Sequence, residues 1–302
     1  MLGVGDMFEV MVPYTTANLG PGFDCVGLAF TAEARIAVAW CENGHQWNNC
    51  DPQYQNDEHL LLRSYRLGLQ EASVEEKCLD LDFLSMPPIA RGLGSSAVCV
   101  VAGLLIAREV AREAGKDLTN DQLIRLATVM EGHPDNIAPA ILGGCVVSLM
   151  TETEIVSQQL QVHDKIGLMA LIPPFELSTE ISRNALPDQV PHKQAIFNVG
   201  RAMLLTQALA TGEMDKLAIG LQDQLHEPYR IPLIHGAETI KDQMEVMGAV
   251  RTVISGAGPT LLVVYDRESD FEAKAIDWMK DENPDWQVYP WQVSKQGARV
   301  KK

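Results

Sequence analysis

The segment from Arg91 to Gly115 limits the fold more than any other part of the chain. It reads Arg91-Gly92-Leu93-Gly94-Ser95-Ser96-Ala97 and passes without a break into an apolar stretch that reaches Ala107. Glycine and twin serines ahead of an alanine-rich run, with Gly115 behind it, mark a helix that starts at the serines and stops at the glycine. The apolar stretch is about half of the roughly 20 residues a bilayer span needs, so it predicts a helix buried in protein. Glycines ahead of a helix let backbone N–H groups close on phosphate oxygens, the helix dipole favours negative charge, and hydroxyls help hold phosphate or metal. The segment therefore reads as a phosphate cradle. Two other readings share its residues: a Gly-rich turn with a serine cap, and the dinucleotide fingerprint G-x-G-x-x-A, which Gly92, Gly94 and Ala97 satisfy. Pro87-Pro88 upstream weakens the strand that the fingerprint requires, and no G-x-x-x-x-G-K-[ST] string occurs, which excludes a Walker loop.

The chain has 302 residues, room for two domains, and its 46% hydrophobic and 21% charged residues are the balance of a soluble globular protein. A net charge of −16 argues against broad contact with nucleic acid or an anionic membrane, both of which need basic surface. One anionic ligand stays open, because salt screens charge beyond about 8 Å. Cys25, Cys41, Cys50, Cys78, Cys99 and Cys145 are scattered, without a C-x-x-C pair or a zinc-spaced histidine, and read as reduced thiols. Asp6 and Glu9 stand where a secretory signal carries basic residues, so the cytoplasm is the expected compartment.

Hydrophobic periodicity predicts strands over 8–13 and 29–40 and a helix over 57–69. Thr119 and Gln122 form a capping box that opens a helix closed by Gly132, with Glu131 at its end. A strand over 141–150 follows, and the least periodic stretch, 151–161, is the candidate domain boundary. Beyond it the pattern predicts a strand over 167–172, helices over 193–210 and 232–247, strands over 250–255 and 260–265, and a helix over 268–279. The mixture is α+β, with units over 1–155 and 156–302.

Three further segments are rich in polar groups. Glu131-Gly132-His133-Pro134-Asp135-Asn136 can aim a carboxylate at Mg²⁺ and an imidazole and an amide at a substrate, or it is a helix stop with solvated side chains. Asn18 and Asp24, separated by the Gly20-Pro21-Gly22 turn, can converge on a small polar ligand, or they belong to a tight loop. Arg183 and Arg230 can fork onto a carboxylate or phosphate, or stay solvated. Ser255-Gly256-Ala257-Gly258-Pro259-Thr260 either approaches a ligand or turns a hairpin.

Taken together, the motif from Pro13 to Asp24, Gly92-Leu93-Gly94-Ser95-Ser96-Ala97 and Ser255 to Thr260 resemble the three motifs of the GHMP small-molecule kinases, and the first resembles the homoserine kinase branch. Glu131 to Asn136, Arg183 and His226 to Arg230 extend the resemblance over almost the whole chain. It implies a two-domain α+β fold, with an N-terminal domain like ribosomal protein S5 and a ferredoxin-like C-terminal domain carrying the substrate arginines. The implied reaction is ATP- and Mg²⁺-dependent phosphorylation of the L-homoserine hydroxyl, a step toward threonine, by a homodimer. Carried over residue by residue, the ATP loop is Pro88-Ile89-Ala90-Arg91-Gly92-Leu93-Gly94-Ser95-Ser96-Ala97-Val98. Ser96 and Glu131 fall on Mg²⁺ and, with Asn136, at the catalytic centre. Asn18, Asp24, His133, Asn136, Arg183 and Arg230 surround homoserine. The chain departs from the family at His59, in Asp57-Glu58-His59-Leu60, where an asparagine near adenine is usual. Asp135 is the nearest candidate base by sequence, and the resemblance implies a structural role for it.

Overall fold

In the computed structural model, residues 7–302 are described; Asp6 lies outside them. The first unit is a mixed sheet packed on helices. β1 (Met7–Ala17) and the long β2 (Val26–Cys41) form its antiparallel spine. β2 shares its edge between two neighbours: β4 (Cys78–Ser85) pairs along its second half, and β5 (Cys145–Met150) along its start. β3 (Gln46–Asn48) runs parallel to β4, and β6 (Ile155–Leu160) pairs with β5. The expected division at residue 155 thus falls at the start of a strand that belongs to the first sheet.

Four helices accompany this sheet: α1 (Leu60–Ala72), α2 (Ser95–Glu113), α3 (Asn120–Glu131) and α4 (Ile137–Leu142). α2 is the apolar run anticipated above, with residues 100–107 buried. It packs closely on α1 because glycines stand at the contact: a Cβ on Gly103 would lie 2.1 Å from the Leu61 carbonyl oxygen, and one on Gly68 would lie 2.6 Å from the Ala107 Cβ. The capping box of α3 is formed in both directions, the Thr119 side chain accepting from the Gln122 N–H and the Gln122 side chain from the Thr119 N–H. Residues 141–150 are not one strand. α4 occupies the start of that range, Gly143 and Gly144 turn the chain with φ of 75° and 76°, and only then does β5 begin.

The second sheet has strand order β10-β7-β9-β8, antiparallel throughout, with β7 (Ile166–Ile172), β8 (Arg251–Ile254), β9 (Leu261–Asp266) and β10 (Gln287–Trp291). Helices connect its first strand to its second and its third to its fourth, which is the ferredoxin-like arrangement. The first connection carries α5 (Thr179–Asn184), α6 (His192–Thr211), α7 (Met214–Gly220), α8 (Glu227–Arg230) and α9 (Ala237–Met247), and the second carries α10 (Phe271–Glu282). The single helix expected over 232–247 is shorter, because Gly236 at φ 81° separates a one-turn 3₁₀ helix at Ile231–Leu233 from α9. β7 is buried along its whole length. Its alternation sends Leu168, Ala170 and Ile172 into the core shared with the first unit, and Met169 and Leu171 into a core with α9 and α10. The chain then returns to the first sheet, where β11 (Arg299–Lys301) pairs with β1. No helix among the described residues is long and apolar enough to cross a membrane.

The α1–α2 contact leaves no room for a methyl group at Gly103. Gly103→Ala is expected to destabilise the fold by about 1–3 kcal/mol through overpacking. Chemical denaturation checks this; an unchanged midpoint would contradict the packing described.

Candidate active site

The hairpin-like loop from Ser255 to Thr260 pins two loops of the first unit against the second. Ser255 Oγ donates to the Gly92 carbonyl at 2.6 Å and lies 2.8 Å from Thr16 Oγ1, while the Gly256 N–H donates to the Ala17 carbonyl. Asn18 Nδ2 donates to the Gly256 carbonyl at 2.7 Å, and its Oδ1 accepts from the Asp24 N–H. Gly92 is at φ 74°, and a Cβ there would meet the Ser255 carbonyl oxygen at 2.2 Å. Gly94, at φ 71°, is the residue before α2; a Cβ there would meet Thr15 Oγ1 at 2.1 Å. Both glycines therefore answer a left-handed backbone and a close approach together.

Between these loops lies a cavity of about 640 Å³. At one wall the α2 N-terminus opens into it with no side-chain cap, so its first-turn N–H groups are available to an anion. Next to it Ser96 Oγ donates to Glu131 Oε1. Burial holds the Glu131 carboxyl above its usual range, against the lowering effects of Ser96 and of His133. Asn136 Oδ1 accepts from Thr15 Oγ1 at 2.8 Å, which leaves its amide N–H₂ for the cavity it lines. Asp135 is 2% exposed; its Oδ1 accepts from the Asn136 N–H at 2.9 Å and contacts His133 Nδ1 at 2.5 Å. That hydrogen bond raises the His133 pKa above 6.5, with burial opposing it.

The opposite wall is electrostatically unusual. Arg183 forks onto Asp24 at 2.9 and 3.2 Å, so these two expected ligand groups hold each other. Arg230 is 1% exposed, and its guanidinium donates only to the carbonyls of Ser182 at 3.2 Å and Gly256 at 3.3 Å. Desolvation, reinforced by Arg183, lowers its pKa to about 10, which still leaves it charged near neutral pH. Among the described residues no carboxylate lies within ion-pair distance of it, and a buried cation with only neutral acceptors is chemically suited to an anion.

Asn18, Asp24, Ser96, Glu131, His133, Asn136, Arg183 and Arg230 all line this one cavity, as do Ala90, Gly92, Gly94, Ser95 and Ala97 of the loop. Other loop residues face elsewhere. Arg91 donates to the carbonyls of Ile89, Pro173 and Pro174, Leu93 and Val98 are core residues, and Pro88 is exposed. Ile89 lines a second cavity of about 520 Å³ that shares Leu60, Ser95 and Ser96 with the first. Its walls include Tyr54, Phe83, Met86 and His59, whose Nδ1 caps α1 by accepting from the Leu61 N–H at 3.1 Å. Sequence reasoning singled out the segment of Ser255 but gave no supporting role to the polar groups Thr15, Thr16, Ser182 and Ser255. The Thr15-Thr16 pair inside the N-terminal motif and Ser255 inside the last one were the signals for three of them.

Comparison with known proteins gives the family and the fold. The family model for the GHMP kinases N terminal domain matches residues 59–144, and that for the GHMP kinases C terminal matches residues 205–277. A homoserine kinase of Clostridium botulinum (strain Okra / Type B1) is 36% identical over 295 residues, covering 97% of this chain and 98% of that protein. The crystal structure of homoserine kinase from Cytophaga hutchinsonii superposes with a TM-score of 0.87 at 25% identity, covering 99% of both chains. An L. major mevalonate kinase in complex with R-mevalonate, 16% identical, shares the fold at a TM-score of 0.71 over 95% of this chain and 96% of that one.

The His133–Asp135 bond makes a prediction about titration. The folded value of His133 is raised, so the bond contributes its full stability below about 6.5 and loses it as pH rises through the raised value. Ring-proton NMR should give a raised His133 pKa in the wild type and a lower one in Asp135→Asn, where burial acts without the opposing carboxylate. The same titration in both proteins would show that Asp135 is not the cause.

Proposed function

The chain belongs to the homoserine kinase family of the GHMP kinases, and we propose that it transfers the γ-phosphoryl group of ATP to the side-chain hydroxyl of L-homoserine, giving O-phospho-L-homoserine on the way to threonine. The observation that carries the reading is the Arg230 guanidinium, buried with no carboxylate partner among the described residues, in the cavity onto which the α2 N-terminus also opens.

An amino acid is a zwitterion, and the charged wall of the cavity suits one. Its carboxylate answers Arg230 and Arg183, and its ammonium answers Asp24, so the Asp24–Arg183 pair is exchanged for two pairs with the ligand. That pair is more than a third exposed on both sides, and opening it costs little, on the order of 1 kcal/mol or less. Asn18 and His133 bound the same end of the cavity, and the Asn136 amide is available to an oxygen near the hydroxyl. The triphosphate lies against the α2 N-terminus and the loop glycines, and the base enters the second, adjoining cavity, where His59 Nε2 is left to donate because Nδ1 already accepts.

Glu131 and Ser96 fit Mg²⁺: they offer a carboxylate and a hydroxyl, both hard oxygen donors, and burial holds the carboxyl above its usual range, a cost that a bound cation would offset. When bound, the ion neutralises charge on the phosphates. Phosphoryl transfer through a loose transition state needs alignment more than a strong base. Asp135 is buried and already bonded on Oδ1, and its role in this reading is to orient His133 and Asn136. The first unit supplies most of the nucleotide site, the second supplies the arginines, and the active form is a homodimer, which light scattering checks.

An assay of ADP release with L-homoserine, D-homoserine, mevalonate, galactose and no acceptor tests the reading, with phosphorus NMR for a new phosphomonoester. Turnover confined to L-homoserine is expected; turnover only with another acceptor would overturn it. Arg183→Gln and Arg230→Gln should each weaken homoserine binding roughly ten- to a hundredfold, as loss of a charge-assisted bond worth about 1.5–3 kcal/mol requires, with ATP binding little changed. Homoserine saturation like that of the wild type in both variants would remove the arginines from the site. Glu131→Gln should raise the Mg²⁺ concentration needed for half-maximal rate, and an unchanged requirement would contradict its role as a ligand.

A further inference from the structure

Phe23 stands beside Asp24 in the loop between β1 and β2, and its ring has cations over it. Arg230 Cζ lies 5.0 Å and Arg183 Cζ 6.0 Å from the ring centroid. The His226 imidazole stacks on the same ring with centroids 5.1 Å apart and planes at 21°. His226 is fully buried, and its Nε2 lies 2.9 Å from the Gly20 carbonyl, to which it donates. The loop is thus held at Gly20 by a hydrogen bond and at Phe23 by a stack, both from one histidine on the second unit.

Two guanidiniums converge on this loop, and each raises the cost of the other. Arg183 has Asp24 as a counter-ion, whereas Arg230 has only carbonyl oxygens. A second acidic side chain would relieve Arg230 but would also take up the N–H groups that a ligand carboxylate needs. An aromatic ring relieves it differently, because the negative face of the quadrupole attracts the cation without accepting its in-plane hydrogen bonds. We infer that Phe23 is a positioning residue, backed by His226, that holds Arg183 and Arg230 for a single ligand carboxylate and so sets affinity for an amino-acid substrate. The identity of the ligand rests on the reading above; the role of the ring rests on the geometry alone.

The test compares Phe23→Leu, which keeps apolar volume and loses the ring, with Phe23→Tyr, which keeps the ring. Calorimetry should show Phe23→Leu binding L-homoserine about tenfold more weakly, with ATP binding unchanged and Phe23→Tyr within about twofold of the wild type. The competitor 3-aminopropan-1-ol, which is homoserine without its carboxylate, should bind the wild type and Phe23→Leu equally well. Equal weakening of both ligands would mean general loop damage and overturn the proposal, as would a Phe23→Leu protein with wild-type homoserine affinity. An arm without substrate keeps the two claims separate: the Arg230 Nε–H signal in an arginine-labelled NMR spectrum, assigned with Arg230→Lys. It should shift on loss of the ring current in Phe23→Leu and stay near its place in Phe23→Tyr. If the wild type does not bind L-homoserine, the acceptor reading fails, and this signal alone decides the ring's role; an unmoved signal overturns it.

Discussion

The geometry of the site depends on one crowded junction, where the backbone of Gly92 meets the backbone of Ser255. A side chain at Gly92 would overlap the Ser255 carbonyl, and the Ser255 hydroxyl closes the contact from the other side. Because Ser255 follows β8 and Gly92 lies in the loop ahead of α2, this contact fixes the uncapped α2 N-terminus relative to the second sheet. The same loop holds Asn18 through the Gly256 carbonyl, and Asn18 in turn holds the Asp24 backbone. Three segments far apart in sequence are therefore set by short backbone contacts, which tolerate little error in position.

A chain of net charge −16 builds anion sites here with local means. The α2 terminus offers backbone N–H groups, and the second unit offers Arg230, whose guanidinium meets carbonyls and a ring, beside Arg183, which is paired with Asp24. Long-range charge matters little inside a cavity of this size, where desolvation and contact geometry dominate. Arg230 shows the cost of that design, since burial lowers its pKa to about 10, and in the proposed reaction a ligand carboxylate would offset the cost. Glu131 shows the same effect with the opposite sign, its carboxyl raised by burial and suited to a bound cation.

Features governed by neighbouring residues were legible in the sequence. The start of α2 at Ser95, the Thr119–Gln122 capping box and the Gly132 stop follow from local backbone chemistry and were found where the pattern put them; the serines do not cap α2, whose N-cap is Gly94 without a side-chain bond, and α2 ends at Glu113 with Ala114 as its cap, one residue before Gly115. The ferredoxin-like second unit was implied by family resemblance. What periodicity could not give were elements whose reason lies elsewhere in the chain. β10 contains Pro290 and is mostly exposed, so only its pairing with β7 makes it a strand, and the three residues of β11 exist as a strand only against β1. The site followed the same rule. Asp24 and Arg183 were both legible as charged ligand groups, but their mutual pairing across 159 residues of sequence was not. Nor could the sequence place Arg91, whose fork is occupied by backbone carbonyls away from the phosphate side.

In the proposed reaction an amino acid replaces the Asp24–Arg183 pair and neutralises Arg230. A crystal structure of the chain with L-homoserine tests it most directly. The expected result is the ligand carboxylate within hydrogen-bonding distance of both guanidiniums, the ammonium against Asp24, and the hydroxyl directed toward the Ser96 and Glu131 end of the cavity. A bound amino acid that leaves the Asp24–Arg183 fork intact and Arg230 on its carbonyls alone would contradict it.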